Sequence, residues 1–188
     1  MSSTIDLPGI LRRRKPERRL KPLAKRPLAR LAAAGDLADS GRTALVPDTN
    51  VYIKSAAGLL PPVVAALLDR ARLFHCTVCL GELAVGVANA DPAHPQWLAT
   101  RDHYSGLFAS IPATRLLTPD AEVWADAGVI AGTLARSQGF QKHQRKECLN
   151  DALILLTAAK AGLPVLTANR DEFDLIQQLA PDGSFLHF

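Results

Sequence analysis

The chain has 188 residues, 48% of them hydrophobic and 21% charged, enough for one domain with a sizeable core. No apolar run approaches the ~20 residues that a membrane-spanning helix needs, and the N-terminus lacks the apolar stretch of a signal peptide. Three cysteines, an odd number, argue against a disulfide framework and predict a reducing, cytoplasmic setting.

The net charge of +4 is unevenly divided: eleven Lys/Arg face four Asp/Glu through residue 45, and eleven face fourteen beyond it. Arg12-Arg13-Arg14-Lys15 is followed by further basic residues to Arg30, interrupted by Pro16, Pro22 and Pro27. Prolines at that spacing break helices, and large apolar residues are few. Residues 1–42 therefore read as a basic, flexible arm with a short helix over 28–37, suited to a polyanion such as RNA or to an acidic partner.

From residue 43 strand and helix signals alternate. Residues 43–48 read as a buried strand, 50–57 and 61–72 as helices, 74–79 as a short strand and 81–90 as a helix. A helix over 96–110, a brief strand at 115–117 and a long helix over 120–137, stopped by Gly139, follow. Residues 141–147 read as a polar basic loop and 150–161 as a helix buried on most faces. Strand 165–167, helix 171–179 and an edge strand at 185–188 complete the chain. Such alternation predicts an α/β fold with a parallel sheet covered on both faces, whose ligands sit beyond the carboxyl ends of the strands.

Two acids stand out against this background. Asp48 ends the first buried strand, and Asp151 sits at the mouth of the buried helix. An unpaired buried carboxylate is costly, so both need an explanation, and a shared metal ion is one. Taken singly, Asp48 in Pro-Asp suits a turn, Asn150 or Asp151 suits a helix cap, and Glu82 suits a first helical turn. Topology alone does not bring Asp151 to Asp48, because the helix opening at 150 reads as starting from the opposite edge of the sheet. Pro47 also removes a ladder donor from a strand expected to be central. His75, Cys76 and Cys79 invite a zinc reading, but in a strand residues three apart face opposite ways.

The stretches PDTNVYI, CLGELAVGV and LNDALILLTAAKAGLPVLTANRDEF, in that order, resemble the PIN-domain ribonucleases, particularly the VapC toxins of toxin–antitoxin pairs. The resemblance covers residues 44–188 and leaves the arm outside. It implies a three-layer PIN-like fold over 43–188 and an Mg²⁺- or Mn²⁺-dependent ribonuclease whose metal is held by acids. Carried over, the ligands are Asp48, Glu82, Asp151 and a fourth acid, Asp171, with Asn169 and Glu172 as further candidates and Thr49 and Asn50 as helpers. RNA contacts are expected from Arg12, Arg13, Arg14 and Lys15 and from Lys142, Arg145 and Lys146. A cognate antitoxin and a homodimer are the partners the resemblance implies, with no membrane. The alternative is a catalytically weak PIN module that binds RNA or an antitoxin without cutting. A receiver-like phosphoacceptor domain fits less well, because Asp48 has no adjacent acid.

Overall fold

The computed structural model of the chain describes residues 5–37 and 43–188; the expected limit of the arm at residue 42 lies outside them. Strand β1 (Ala44–Pro47) leads through Asp48 into helix α2 (Thr49–Ala56), and α3 (Pro62–Arg70) feeds β2 (Arg72–Leu73). After the single residue Phe74 comes β3 (His75–Cys76), then α4 (Thr77–Asn89) and α5 (Trp97–Ser110). Strand β4 (Leu116–Leu117), α6 (Ala121–Gln138), α7 (Lys142–Lys160), β5 (Val165–Thr167), α8 (Arg170–Leu179) and β6 (Phe185–His187) follow.

All strand pairs are parallel. The order β2-β1-β5-β6 forms one sheet, and β3 pairs with β4 in a second that begins one residue beyond β2. Helices pack on this central sheet, as the alternating pattern predicts. Pro47 is tolerated because of where its missing donor would point. Val46 and Asp48 donate to the carbonyls of Pro164 and Leu166 at 2.9 Å each, so residue 47 faces the β2 side. There the ladder has already ended at Leu45↔Leu73.

The core is built around α7, whose residues from Ala152 to Ala158 are all buried. Leu153, Ile154, Leu155 and Leu156 each contribute on the order of 1.5–3 kcal/mol by burial. Two corrections follow from this helix. Residues 141–147 are not a loop, because α7 starts at Lys142 behind a Gln141–Gln144 capping box. Asp151 and Asn150 therefore lie inside the helix and cap nothing. The helix also begins at the carboxyl edge of the sheet, not the opposite one. Running back from Lys160, Asp151 rises about 13 Å at ~1.5 Å per residue, while β5 climbs about 10 Å, so the two ends meet.

Residues 77–79 likewise belong to α4 and not to a strand. Cys76 caps that helix and Cys79 lies in its first turn, so the argument from strand geometry does not apply. Both thiols are buried and free; Cys79 donates to the Pro47 carbonyl at 3.6 Å, and His75 shares a 2.8 Å hydrogen bond with the Tyr52 hydroxyl.

The basic arm is folded onto the body. Asp6 caps helix α1 (Leu7–Arg14), which packs against α6 with Ile10 buried. The Arg14 guanidinium grips Asp126 through two 2.7 Å bonds and also reaches Asp182 at 2.9 Å and the Leu179 carbonyl at 3.1 Å. Arg26 pairs with the buried Asp174, and Leu23 and Leu31 pack on the core. The single short helix expected over 28–37 is instead two 3-10 turns, Leu28–Arg30 and Ala34–Leu37. Between them Ala33 bridges to His187 in parallel and the Ala32 carbonyl accepts from the His187 N–H at 3.0 Å, which covers part of the β6 edge. Within residues 5–37, Arg13, Arg14, Lys25 and Arg26 thus pair with acids of the body.

Candidate active site

Asp48 follows β1, Glu82 projects from α4, Asp151 from α7 and Glu172 from α8, so four elements deliver acids to the carboxyl edge of the sheet. Asp48 is 2% exposed and Asp151 8%, whereas Glu82 and Glu172 are half-buried. Each carboxylate is held by neutral side chains. Asp48 accepts from the Thr49 N–H at 2.7 Å, from the Thr167 hydroxyl at 2.7 Å and from the Asn50 amide. The carbonyl oxygen of Asn50 in turn accepts from the Ala168 N–H at 2.9 Å, tying α2 to the end of β5.

Glu82 is fixed at both oxygens, by the Thr49 hydroxyl on one and by the Asn150 amide at 2.7 Å on the other. Asn169 links the last pair: its amide nitrogen donates to Asp151 at 3.0 Å and to Glu172. Asp171 is placed apart. Its carboxylate is 39% exposed and bound by Lys25 at 2.6 Å and Arg170 at 2.8 Å, which hold it below its ordinary range. The helical step of one residue turns Glu172 inward and Asp171 outward.

Electrostatics at this edge run against the folded state. Burial, then the charge of Glu82, pushes the Asp48 carboxyl from 3.8 up to about 6, despite the hydrogen bonds from Thr167, Thr49 and Asn50. Asp151 is raised well above its ordinary value by burial, and next by the charges of Asp48, Glu172 and Glu82. A carboxyl raised on folding binds more protons in the folded than in the unfolded state. Metal-free stability carried by Asp48 is therefore present at low pH and lost as pH rises from about 4 to about 6. Asp48→Asn should gain on wild type across that window, by on the order of 3 kcal/mol at neutral pH in EDTA. Denaturant unfolding of both proteins at pH 4, 5, 6 and 7 measures this, and a difference that stays flat with pH would contradict it.

The donor set is all oxygen and amide, which suits a hard divalent cation. Among the described residues, no three His, Cys, Asp or Glu side chains close on one point as they stand. The acids meet through Asn and Thr instead. Mg²⁺ usually keeps several waters and takes only one or two carboxylates, and Asp48 and Asp151 are the buried acids that would supply them.

Thr167 and Asn150 are members of this network that the sequence reading did not single out. Thr167 ends a strand in Thr-Ala-Asn, where a short hydroxyl at the carboxyl edge was the available signal. Asn150 stands in sequence as one of two candidates for a helix cap. Of the basic candidates, Lys142, Arg145 and Lys146 lie exposed or half-exposed in the first turns of α7, upstream of Asp151 on the same helix. Arg14 is buried in its ion pairs, Arg13 is split between Asp126 and Glu122, and Arg12 and Lys15 remain at the surface.

No family model matches the chain, and no curated protein does. Solved structures do. A chain of FitAB bound to the IR36 DNA fragment matches with a TM-score of 0.55 and 20% identity, over 76% of this chain and 94% of that one. VapBC-5 from Mycobacterium tuberculosis, of the VapBC family of toxin–antitoxin systems, gives 0.51 and 24%, over 78% and 99%. VapBC-1 from nontypeable Haemophilus influenzae gives 0.54 and 19%, over 77% and 98%. These are toxin–antitoxin complexes that contain PIN-domain toxins. The fold is PIN-like. In each comparison nearly the whole neighbouring chain lies within the PIN-like likeness, and roughly a quarter of this chain lies beyond it. No helix among the described residues is long and apolar enough to cross a membrane.

Proposed function

We propose that the chain is a metal-dependent endoribonuclease of the PIN type, the toxin of a toxin–antitoxin pair. One observation carries the reading: two buried carboxylates from separate elements, Asp48 and Asp151, share the carboxyl edge with Glu82 and Glu172 and with no cationic side chain among their hydrogen-bond partners. Such an arrangement is unfavourable until a cation enters it. Asp48 and Asp151 would hold Mg²⁺ or Mn²⁺ directly, with Glu82 and Glu172 orienting water around it. When bound, the ion lowers the pKa of water and offsets charge on the phosphodiester.

The chain's own residues supply the positioning. Thr167 and Asn50 lock Asp48, Thr49 and Asn150 lock Glu82, and Asn169 ties Asp151 to Glu172. Lys142, Arg145 and Lys146 are placed to meet RNA phosphates along α7. The likeness to chains of FitAB and VapBC complexes supports an antitoxin as partner, and a homodimer and a cytoplasmic setting go with the same reading. A second reading, a PIN module that binds RNA or an antitoxin without cutting, is favoured by Asn169. This neutral side chain stands where a carboxylate would add charge.

The fourth acid tests the site. Glu172→Gln should raise the Mn²⁺ concentration needed for half-maximal RNA cleavage by roughly 10- to 100-fold, as loss of an outer-sphere group does. Asp171→Asn should leave it within about twofold, since that carboxylate is engaged by Lys25 and Arg170. The reverse order would return the role to Asp171. Metal-dependent binding of RNA with no cleavage by the unmodified chain would favour the second reading.

A further inference from the structure

The amino-terminal edge of the sheet, opposite the acids, carries a cluster of arginines with no ion pair among the described residues. Arg70 ends α3, Arg72 opens β2 and Arg115 lies just before β4; with Ala44 and Ala71 they line one cavity of about 550 Å³. Arg70 and Arg72 flank Ala71 in one stretch, and folding brings Ala44 and Arg115 to them from elsewhere in the sequence. None of the three forms an ion pair with a described carboxylate, and Arg72 instead lies 5.4 Å above the Phe74 ring. Elsewhere the surplus of acid in the body is used: Arg13, Arg14, Arg26, Arg101 and Arg170 each pair with an Asp.

Three guanidinium groups around one cavity repel one another, so their gathering without a carboxylate among the described residues that line it favours an anion. The charge of Arg115 reaches inward as well, where it joins burial in holding the His75 imidazole below its ordinary range. Guanidinium forks match phosphate oxygens in pairs, and the cavity lies within the size range of small-ligand sites.

We infer that this edge is a phosphate-binding site, taking the phosphate of a nucleotide or of a nucleic-acid backbone through Arg70, Arg72 and Arg115. It lies a strand's length, about 13 Å, from the acids and involves none of them, so it stands or falls independently of cleavage.

The test uses the full chain in an Asp48→Asn background, with sodium pyrophosphate and a uridine hexanucleotide as separate probes in calorimetric titrations. Pyrophosphate should bind, and Arg72→Gln/Arg115→Gln should weaken it at least tenfold. In the Asp48→Asn protein, pyrophosphate should also raise the pH at which His75 titrates by NMR, an effect lost in the double variant. Arg72→Lys/Arg115→Lys keeps the charges and loses the forks, so it should fall between the two and guards against misfolding of the Gln pair. If the Arg-dependent affinity for the hexanucleotide exceeds that for pyrophosphate and falls with salt, the ligand is a backbone; if the two are equal, it is a nucleotide phosphate. Absence of pyrophosphate binding, or binding that neither pair of substitutions changes, overturns the site.

Discussion

Asp151→Asn is expected to reduce metal-dependent RNA cleavage by roughly a hundredfold or more, while the metal-free protein at neutral pH becomes as stable as wild type or more so. The two effects have one cause. Asp151 is buried, and its charged form is opposed by burial and then by Asp48, Glu172 and Glu82. Asn keeps the shape and leaves an oxygen for the Asn169 amide, which now donates to Asp151 at 3.0 Å. It removes one negative charge from the group and one metal ligand. A helix-cap role is already ruled out by position, because α7 starts at Lys142 and Asp151 lies well inside it. A purely structural role would leave cleavage untouched and lower the unfolding midpoint. Cleavage rates with saturating Mn²⁺, beside denaturant midpoints in EDTA, separate the two outcomes.

The largest effect on stability is expected at the arm. Arg14 is 5% exposed and Asp126 equally so, joined by a bidentate pair at 2.7 Å. Removing one partner of a buried pair strands the other charge and costs about 3–5 kcal/mol. Arg14→Met should therefore lower Tm by roughly 10 °C at this chain length. Arg13, 3.1 Å from Asp126, softens the loss by keeping one cation nearby. Arg14→Met/Asp126→Leu should recover much of the stability, since two apolar groups leave no orphaned charge. Both can be read from thermal melts of the single and double variants. A single variant that melts with wild type would mean that α1 does not hold to α6 in solution.

The arm also shows what sequence could and could not supply. Its charge surplus is plain in composition, and so is the deficit of the body. That the two neutralise each other is not, because the partners stand 112 to 168 residues apart, as in Arg14 with Asp126 and Asp182. A reading limited to composition assigns such charge to an external polyanion, whereas folding gives Arg13, Arg14, Lys25 and Arg26 to Asp126, Asp171 and Asp174. The buried helix was legible from its unbroken apolar run, but its first two turns were not. Lys142 to Glu147 lacks apolar periodicity, and only the Gln141–Gln144 capping pair marks the start. Missing that start also made Asn150 and Asp151 look like cap candidates and hid the bond from Asn150 to Glu82.

Asp48 and Asp151 stand out in sequence as acids at the ends of apolar elements, Glu82 joins them only through the family resemblance, and the structure brings all three to the carboxyl edge. The fourth position was not legible. In Asn169-Arg170-Asp171-Glu172 the choice depends on the phase of α8 about its axis, which Phe173 sets by burying itself fully. That phase carries Glu172 to Asn169 and leaves Asp171 to Lys25, a residue of the arm whose position no local pattern reveals.

The most direct measurement of the central claim is cleavage of a 5′-labelled single-stranded RNA by the purified full-length chain, with Mg²⁺ or Mn²⁺ and with EDTA. The acidic edge predicts internal cuts with either metal, none in EDTA, and recovery when metal is restored in excess. Cleavage that persists in EDTA and survives Asp48→Asn would contradict it.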